Sequence, residues 1–163
     1  MRLEVESQDH FKVYVNNLYF PYLDWENREE IAKNMKKFIL KLNQNYHLSL
    51  HGFYRATIYV HKKIGTFIEV EKIDDFDLEI HTVDLRIIIY MNQPFLIEVN
   101  DYFVLPPGRK VYFLDDRFYI SVDDLAKTTM MRLLEMGNVI YGEEVEEIIE
   151  SSDCLSSRKE KKT

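Results

Sequence analysis

The stretch Phe53-Tyr54-Arg55-Ala56-Thr57-Ile58-Tyr59-Val60, linked by His61-Lys62-Lys63-Ile64-Gly65 to Thr66-Phe67-Ile68-Glu69-Val70-Glu71, decides the fold class. Aromatic and β-branched residues dominate it with a period of two, the pattern of strands that bury one face. The short link, with Gly65 free to adopt a positive φ, predicts a hairpin. Upstream the period changes. Ile31, Met35, Phe38, Ile39 and Leu42 recur at helical spacing and define one apolar stripe. Asn27 is placed to cap that helix, and Glu30 stands three residues on, where a capping-box carboxylate belongs. Lys33, Lys36, Lys37 and Lys41 lie largely off the stripe and read as a solvated face. Before the helix, Phe11-Lys12-Val13-Tyr14-Val15 alternates as a strand. The first 73 residues therefore read β-α-β-β, one helix over a small sheet.

Downstream, Asp74-Asp75-Phe76-Asp77-Leu78-Glu79 is an acidic connector and the expected boundary between halves. The signal beyond it is almost all strand. Leu85-Arg86-Ile87-Ile88-Ile89-Tyr90 turns through Asn92-Gln93-Pro94 into Phe95-Leu96-Ile97-Glu98-Val99, and Tyr102-Phe103-Val104-Leu105 is stopped by Pro106-Pro107-Gly108. Val111 to Leu114 and Phe118 to Val122 flank Asp115-Asp116-Arg117 as a second hairpin. A helix is predicted from Asp123 or Asp124, with Leu125, Met130, Leu133 and Leu134 on a broad face and Gly137 at its end. The last helical segment sets Val145, Ile148 and Ile149 on one side, ringed by Glu143, Glu144, Glu146, Glu147 and Glu150. The fold class is α+β: a β-α-β-β domain over 1–78, then a mainly antiparallel half over 79–150 that ends in helix. One core shared by the two is the alternative, and 151–163 is expected to be a disordered tail.

Composition narrows the function. A chain of 163 residues and 19.6 kDa with 46 % hydrophobic content has material for a core without disulfides or metal. The single Cys154 fits a reducing compartment. With no signal-peptide core at the N-terminus and no run of 18 apolar residues, the expectation is a soluble, cytoplasmic protein without membrane partners. The net charge is −7; residues 151–163 carry +2, leaving −9 on 1–150, which repels phosphates and argues against nucleic-acid binding.

Catalytic constellations are not legible. His47 and His51 have helical metal-ligand spacing but sit beside Gly52, where helix gives way to strand, and no His-Glu-x-x-His pattern occurs. None of the five glycines builds a phosphate loop or a nucleophile elbow. The acidic run at Asp74, Asp75 and Asp77 lacks the Gly and Glu of a calcium loop. No cofactor or metal is expected. An enzymatic or ligand-binding alternative would assemble its site from His51, His61, His81, Asp84 and Arg86; a structural subunit of an assembly is the third reading.

What remains is a surplus of aromatics, eleven Tyr and ten Phe, together with an acidic last helix. Neighbours in a strand, such as Tyr112 and Phe113, point to opposite faces, so some rings stand outside the core. Cross-strand packing accounts for many of them. The candidate partner-binding residues are Glu143, Glu144, Glu146, Glu147, Tyr112 and Tyr119.

Met1-Arg2-Leu3-Glu4-Val5, Phe11 to Val15, the helix, Leu48-Ser49-Leu50-His51-Gly52 and the hairpin ending Glu69-Val70-Glu71-Lys72 resemble the N-terminal domain of MecA-type adaptor proteins. The aromatic hairpin Val111 to Val122 and the segment Leu133-Leu134-Glu135-Met136-Gly137-Asn138-Val139-Ile140-Tyr141-Gly142-Glu143-Glu144-Val145-Glu146-Glu147-Ile148 are similar to that family's second domain. The connector is shorter than the family's acidic linker, and two strands stand where its second domain begins strand then helix. The resemblance implies a bacterial adaptor or regulator that captures a substrate protein and presents it to a Clp/Hsp100 ATPase. It carries over no individual functional residue.

Overall fold

A computed structural model describes residues 1–16, 19–20, 23–24, 26–73 and 83–156. It divides into two compact units, 1–92 and 93–163, each with its own five-stranded sheet. The α+β class holds: among the described residues three helices accompany ten strands, and a helix lies near the C-terminus.

In the first unit, β1 (Arg2–Ser7), β2 (His10–Val15), α1 (Arg28–Tyr46), β3 (Gly52–His61), β4 (Gly65–Lys72) and β5 (Val83–Met91) follow in sequence, and the sheet order is β1-β2-β4-β3-β5. The cap forms as the sequence dictates, with Asn27 Oδ1 accepting from the Glu30 N–H at 3.1 Å. Ile31, Met35, Phe38, Ile39 and Leu42 are all buried. They meet the inner face of the sheet, where Phe11, Val13, Val15, Tyr54, Ala56, Ile58, Ile68 and Val70 alternate inward. The predicted hairpin is β3–β4, antiparallel and in unbroken register from Tyr54↔Lys72 to His61↔Gly65.

Two expectations change in this unit. The boundary expected at 78 is not where the chain divides. β5 pairs in parallel with β3 along its whole length and places Leu85 in the first core, so the break falls between Asn92 and Gln93. The connector Asp74 to Glu79 lies outside the described residues. In addition, β1 had no strand signal of its own. Only Leu3 is half-buried in it, and β2 supplies its hydrogen-bond partners.

In the second unit the elements are β6 (Leu96–Val99), β7 (Lys110–Leu114), β8 (Arg117–Ser121), α2 (Lys127–Met136), β9 (Asn138–Ile140), α3 (Glu143–Ser151) and β10 (Asp153–Ser156). The sheet order is β10-β7-β8-β6-β9, antiparallel throughout. The β7–β8 hairpin closes through Asp115 and Asp116, both at positive φ (50° and 61°), as a two-residue turn twisted like its strands requires. α2 packs against β6 and α3 against β7.

Four expectations change here. Tyr102–Val104 is a 3-10 turn and not a strand. α2 starts at Lys127, because Val122–Asp124 forms a separate 3-10 turn. Ile149 is 36 % exposed while Val145 and Ile148 alone face inward from α3. The tail is ordered through residue 156: β10 adds to β7 with Cys154 opposite Tyr112, which an apparently polar sequence did not advertise. Residues 157–163 lie outside the described residues.

Candidate functional site

The most exposed large apolar side chain on the described surface is Phe103, at 94 %. Its position follows from the residues around it. Asp101 Oδ1 accepts from the Phe103 N–H at 2.9 Å, and the Leu105 N–H donates to the Tyr102 carbonyl at 3.1 Å, closing one 3-10 turn. Leu105 precedes Pro106, whose ring disfavours helical backbone before it, and it sits extended at φ −78°, ψ 143°. The turn therefore cannot lengthen into a helix. Leu105 is buried and anchors the turn, leaving Phe103 in water.

Phe103 does not stand alone. Tyr102, 41 % exposed, lies 6.5 Å from it and 5.4 Å from Phe118 by ring centroids. Phe118 in turn packs at 5.0 Å on Phe113, its cross-strand neighbour in the β7–β8 ladder. Four rings thus form a patch that is half-buried at Phe113 and Phe118 and open at Tyr102 and Phe103. A patch of this kind suits an apolar contact, since the rings offer large area with few rotors to freeze.

The predicted partner residues are distributed differently. Glu143, Glu144, Glu146 and Glu147 are all exposed on α3. Three of them lie in its first turn, where the helix dipole already favours negative charge. Tyr119 corrects the expectation of an outward ring: it is 5 % exposed and packs with Leu96, Ile140, Val145 and Ile148. Burial pushes its phenol above the usual value, helped by the carboxylates of Glu98, Glu144 and Asp115. Tyr112, opposite Tyr119 in register, is half-buried under the Lys110 ammonium, 4.7 Å from the ring centroid. In the sequence Tyr102 and Phe103 read only as part of a strand that Pro106 stops. The signal available was the Asp101 cap followed four residues later by Leu105-Pro106.

Glu98 is the buried charged group of this sheet, 7 % exposed on β6. Arg117 Nη1 donates to its Oε2 at 3.1 Å and Asn138 Nδ2 to its Oε1 at 3.4 Å, so β8 supplies the counter-charge and β9 a second donor. This pairing is structural, because a buried carboxylate needs its partners to stay folded.

The residues of the enzymatic alternative are only partly brought together: Asp84 and Arg86 lie beside Phe53 and Arg55, toward the His51 end of β3, while His61 lies at the other end. His51 and His61 stand at opposite ends of β3, roughly 30 Å apart at the rise of a strand. His51 opens onto a groove of about 410 Å³ that Val5, Phe11, Tyr46, Leu48, Asp9 and His47 help to line. His61 is buried and its Nδ1 accepts from the Lys63 N–H in the hairpin link. Asp84 and Arg86 are exposed on β5, and His81 lies outside the described residues. Among the described residues no three His, Cys, Asp or Glu side chains are grouped to hold a metal ion, and no helix is long and apolar enough to cross a membrane. No protein-family model, curated protein or solved structure matches the chain.

Proposed function

We propose that the protein is a non-enzymatic interaction module that holds partner proteins through the aromatic turn of its second unit. The observation that carries this reading is Phe103, almost fully exposed on a turn that a side-chain cap closes and a proline follows. Burying such a ring against a partner contributes roughly 1.5–3 kcal/mol, and a preformed turn loses little entropy on docking. Electrostatics favour a basic partner. Residues 93–156 carry thirteen Asp and Glu against five Lys and Arg, a net of −8, and the exposed α3 glutamates belong to that field. Such a field speeds encounter more than it tightens the complex. In its finer form, supported by the resemblance to MecA-type adaptors, the module is an adaptor or regulator in the cytoplasm of a bacterium. One partner is then a substrate protein and another a Clp-type ATPase, with Glu143, Glu144, Glu146 and Glu147 steering it.

The test is affinity capture from lysate with the intact chain and with Phe103→Ala, read by mass spectrometry at low and high salt. The expected outcome is loss of specifically captured proteins in the variant, with ten-fold or greater weakening for any partner measured directly, about 1.4 kcal/mol or more. Equal capture by the two proteins would sink the reading. Salt-independent capture would remove only its electrostatic part.

A further inference from the structure

Four strand edges border the two sheets, and three are blunted. β1 carries Arg2, Glu4 and Glu6, and its pairing register shifts between Val5 and Ser7. β9 has three residues and β10 four. Charge, irregularity and shortness are the usual devices that prevent an edge from pairing with another chain. β5 carries Asp84 and Arg86 near its start but is neither short nor irregular. It runs nine residues in unbroken register with β3, and Ile87-Ile88-Ile89-Tyr90-Met91 contains no charge and no proline. No described strand covers its outer side.

We propose that β5 pairs antiparallel with β5 of a second copy of this chain, about a two-fold axis through Ile88. The strand is self-complementary around that residue. Leu85 then faces Met91, Arg86 faces Tyr90, Ile87 faces Ile89 and Ile88 faces itself. On the helix-covered face, Leu85, Ile87 and Ile89 extend the apolar row that packs on the first core. On the outer face, the electrostatics fit. Tyr90 is 42 % exposed, and one side of its ring is stacked on Tyr59 of β3 at 5.3 Å and 16°. Its other side therefore points toward the free edge. Arg86 stands beside Arg55, whose carboxylate partner Glu71 lies on the far side, in β4. Pairing brings each Arg86 over the open side of the partner's Tyr90 ring, a favourable cation–π arrangement formed twice. Because each copy has one unblunted edge in this sheet, the association closes as a dimer instead of growing into a filament. This inference is independent of the aromatic turn.

Sedimentation of the full chain over a wide concentration range tests it. The intact protein is expected to rise toward twice 19.6 kDa with concentration. Ile88→Lys and Ile88→Glu each put like charges opposite one another on the axis, and each alone should weaken the dimer at least about tenfold. An equimolar mixture of the two should regain it as a heterodimer. Ile88 is half-buried on the outer face, so both variants are expected to fold, which circular dichroism checks. Arg86→Glu, at an exposed position, is the second probe and should weaken the dimer without touching the core. A chain that stays monomeric, or a dimer indifferent to residues 86 and 88, overturns the proposal. So does a mixture of folded Lys and Glu variants that remains monomeric, or growth beyond two copies.

Discussion

At Gly137 the requirement is for space and not for backbone freedom. Its φ of −125° is open to any residue, yet a Cβ there would collide with the Glu98 carbonyl oxygen and press on Ile97 and Val99. The sequence marked this glycine as a helix end, which it is, but the reason is the close approach of β6. Gly137→Ala should therefore destabilise the second unit by about 1–3 kcal/mol, the usual range for forcing atoms into a packed site. Urea unfolding measures it, and an unchanged midpoint would show that β6 can give way. Tyr112 and Tyr119 teach the complementary lesson. They are cross-strand partners that meet one apolar cluster, yet Tyr119 is buried and Tyr112 half-buried, a difference that the period of their strands does not contain.

Among elements, α1 was legible almost residue by residue. Its cap, its stripe and its buried face all depend on spacing within one helix, so local sequence contains them. Replacing Asn27 by Ala removes the acceptor for the Glu30 N–H and should cost about 1 kcal/mol, read as a lower unfolding midpoint with an unchanged denaturant slope. The β3–β4 and β7–β8 hairpins were legible for the same reason. β1, β9 and β10 were not. β1 is an exposed edge strand with one half-buried apolar residue, and β9 and β10 are short edges whose hydrogen bonds come from a neighbour far away in the chain, such as Leu155 opposite Val111. The aromatic turn at Tyr102–Val104 was mistaken for a strand because its residues have strand composition; the Asp101 cap and the proline decide otherwise.

At the scale of the molecule, burial couples stability to alkaline pH. Desolvation raises the phenols of Tyr14, Tyr54 and Tyr119 above the ordinary value of about 10, and the Tyr14 hydroxyl also donates to the Ile64 carbonyl at 3.0 Å. A group whose folded value is raised contributes stability that is complete below its unfolded value and is lost as pH rises through the folded one. Stability should therefore begin to fall above pH ~10, the ordinary phenol value, with these three tyrosines ionising later than the exposed ones among the eleven. Absorbance of the phenolate, followed together with circular dichroism, checks this. Ionisation of all eleven in one step with the fold intact would contradict it.

The sequence by itself determined the α+β class, the capped helix with its buried stripe, both hairpins and the acidic, exposed character of α3. Each is a matter of period, cap or turn within a few residues. The tertiary structure alone decided that β5 belongs to the first sheet, in parallel with β3, and that the units divide at Asn92. It also decided that 153–156 is a strand, that Tyr119 is core and that Phe103 is surface. A strand's period tells that it will pair and which of its faces is apolar. Its partner is chosen by the sum of contacts with residues tens of positions away, which no local pattern contains.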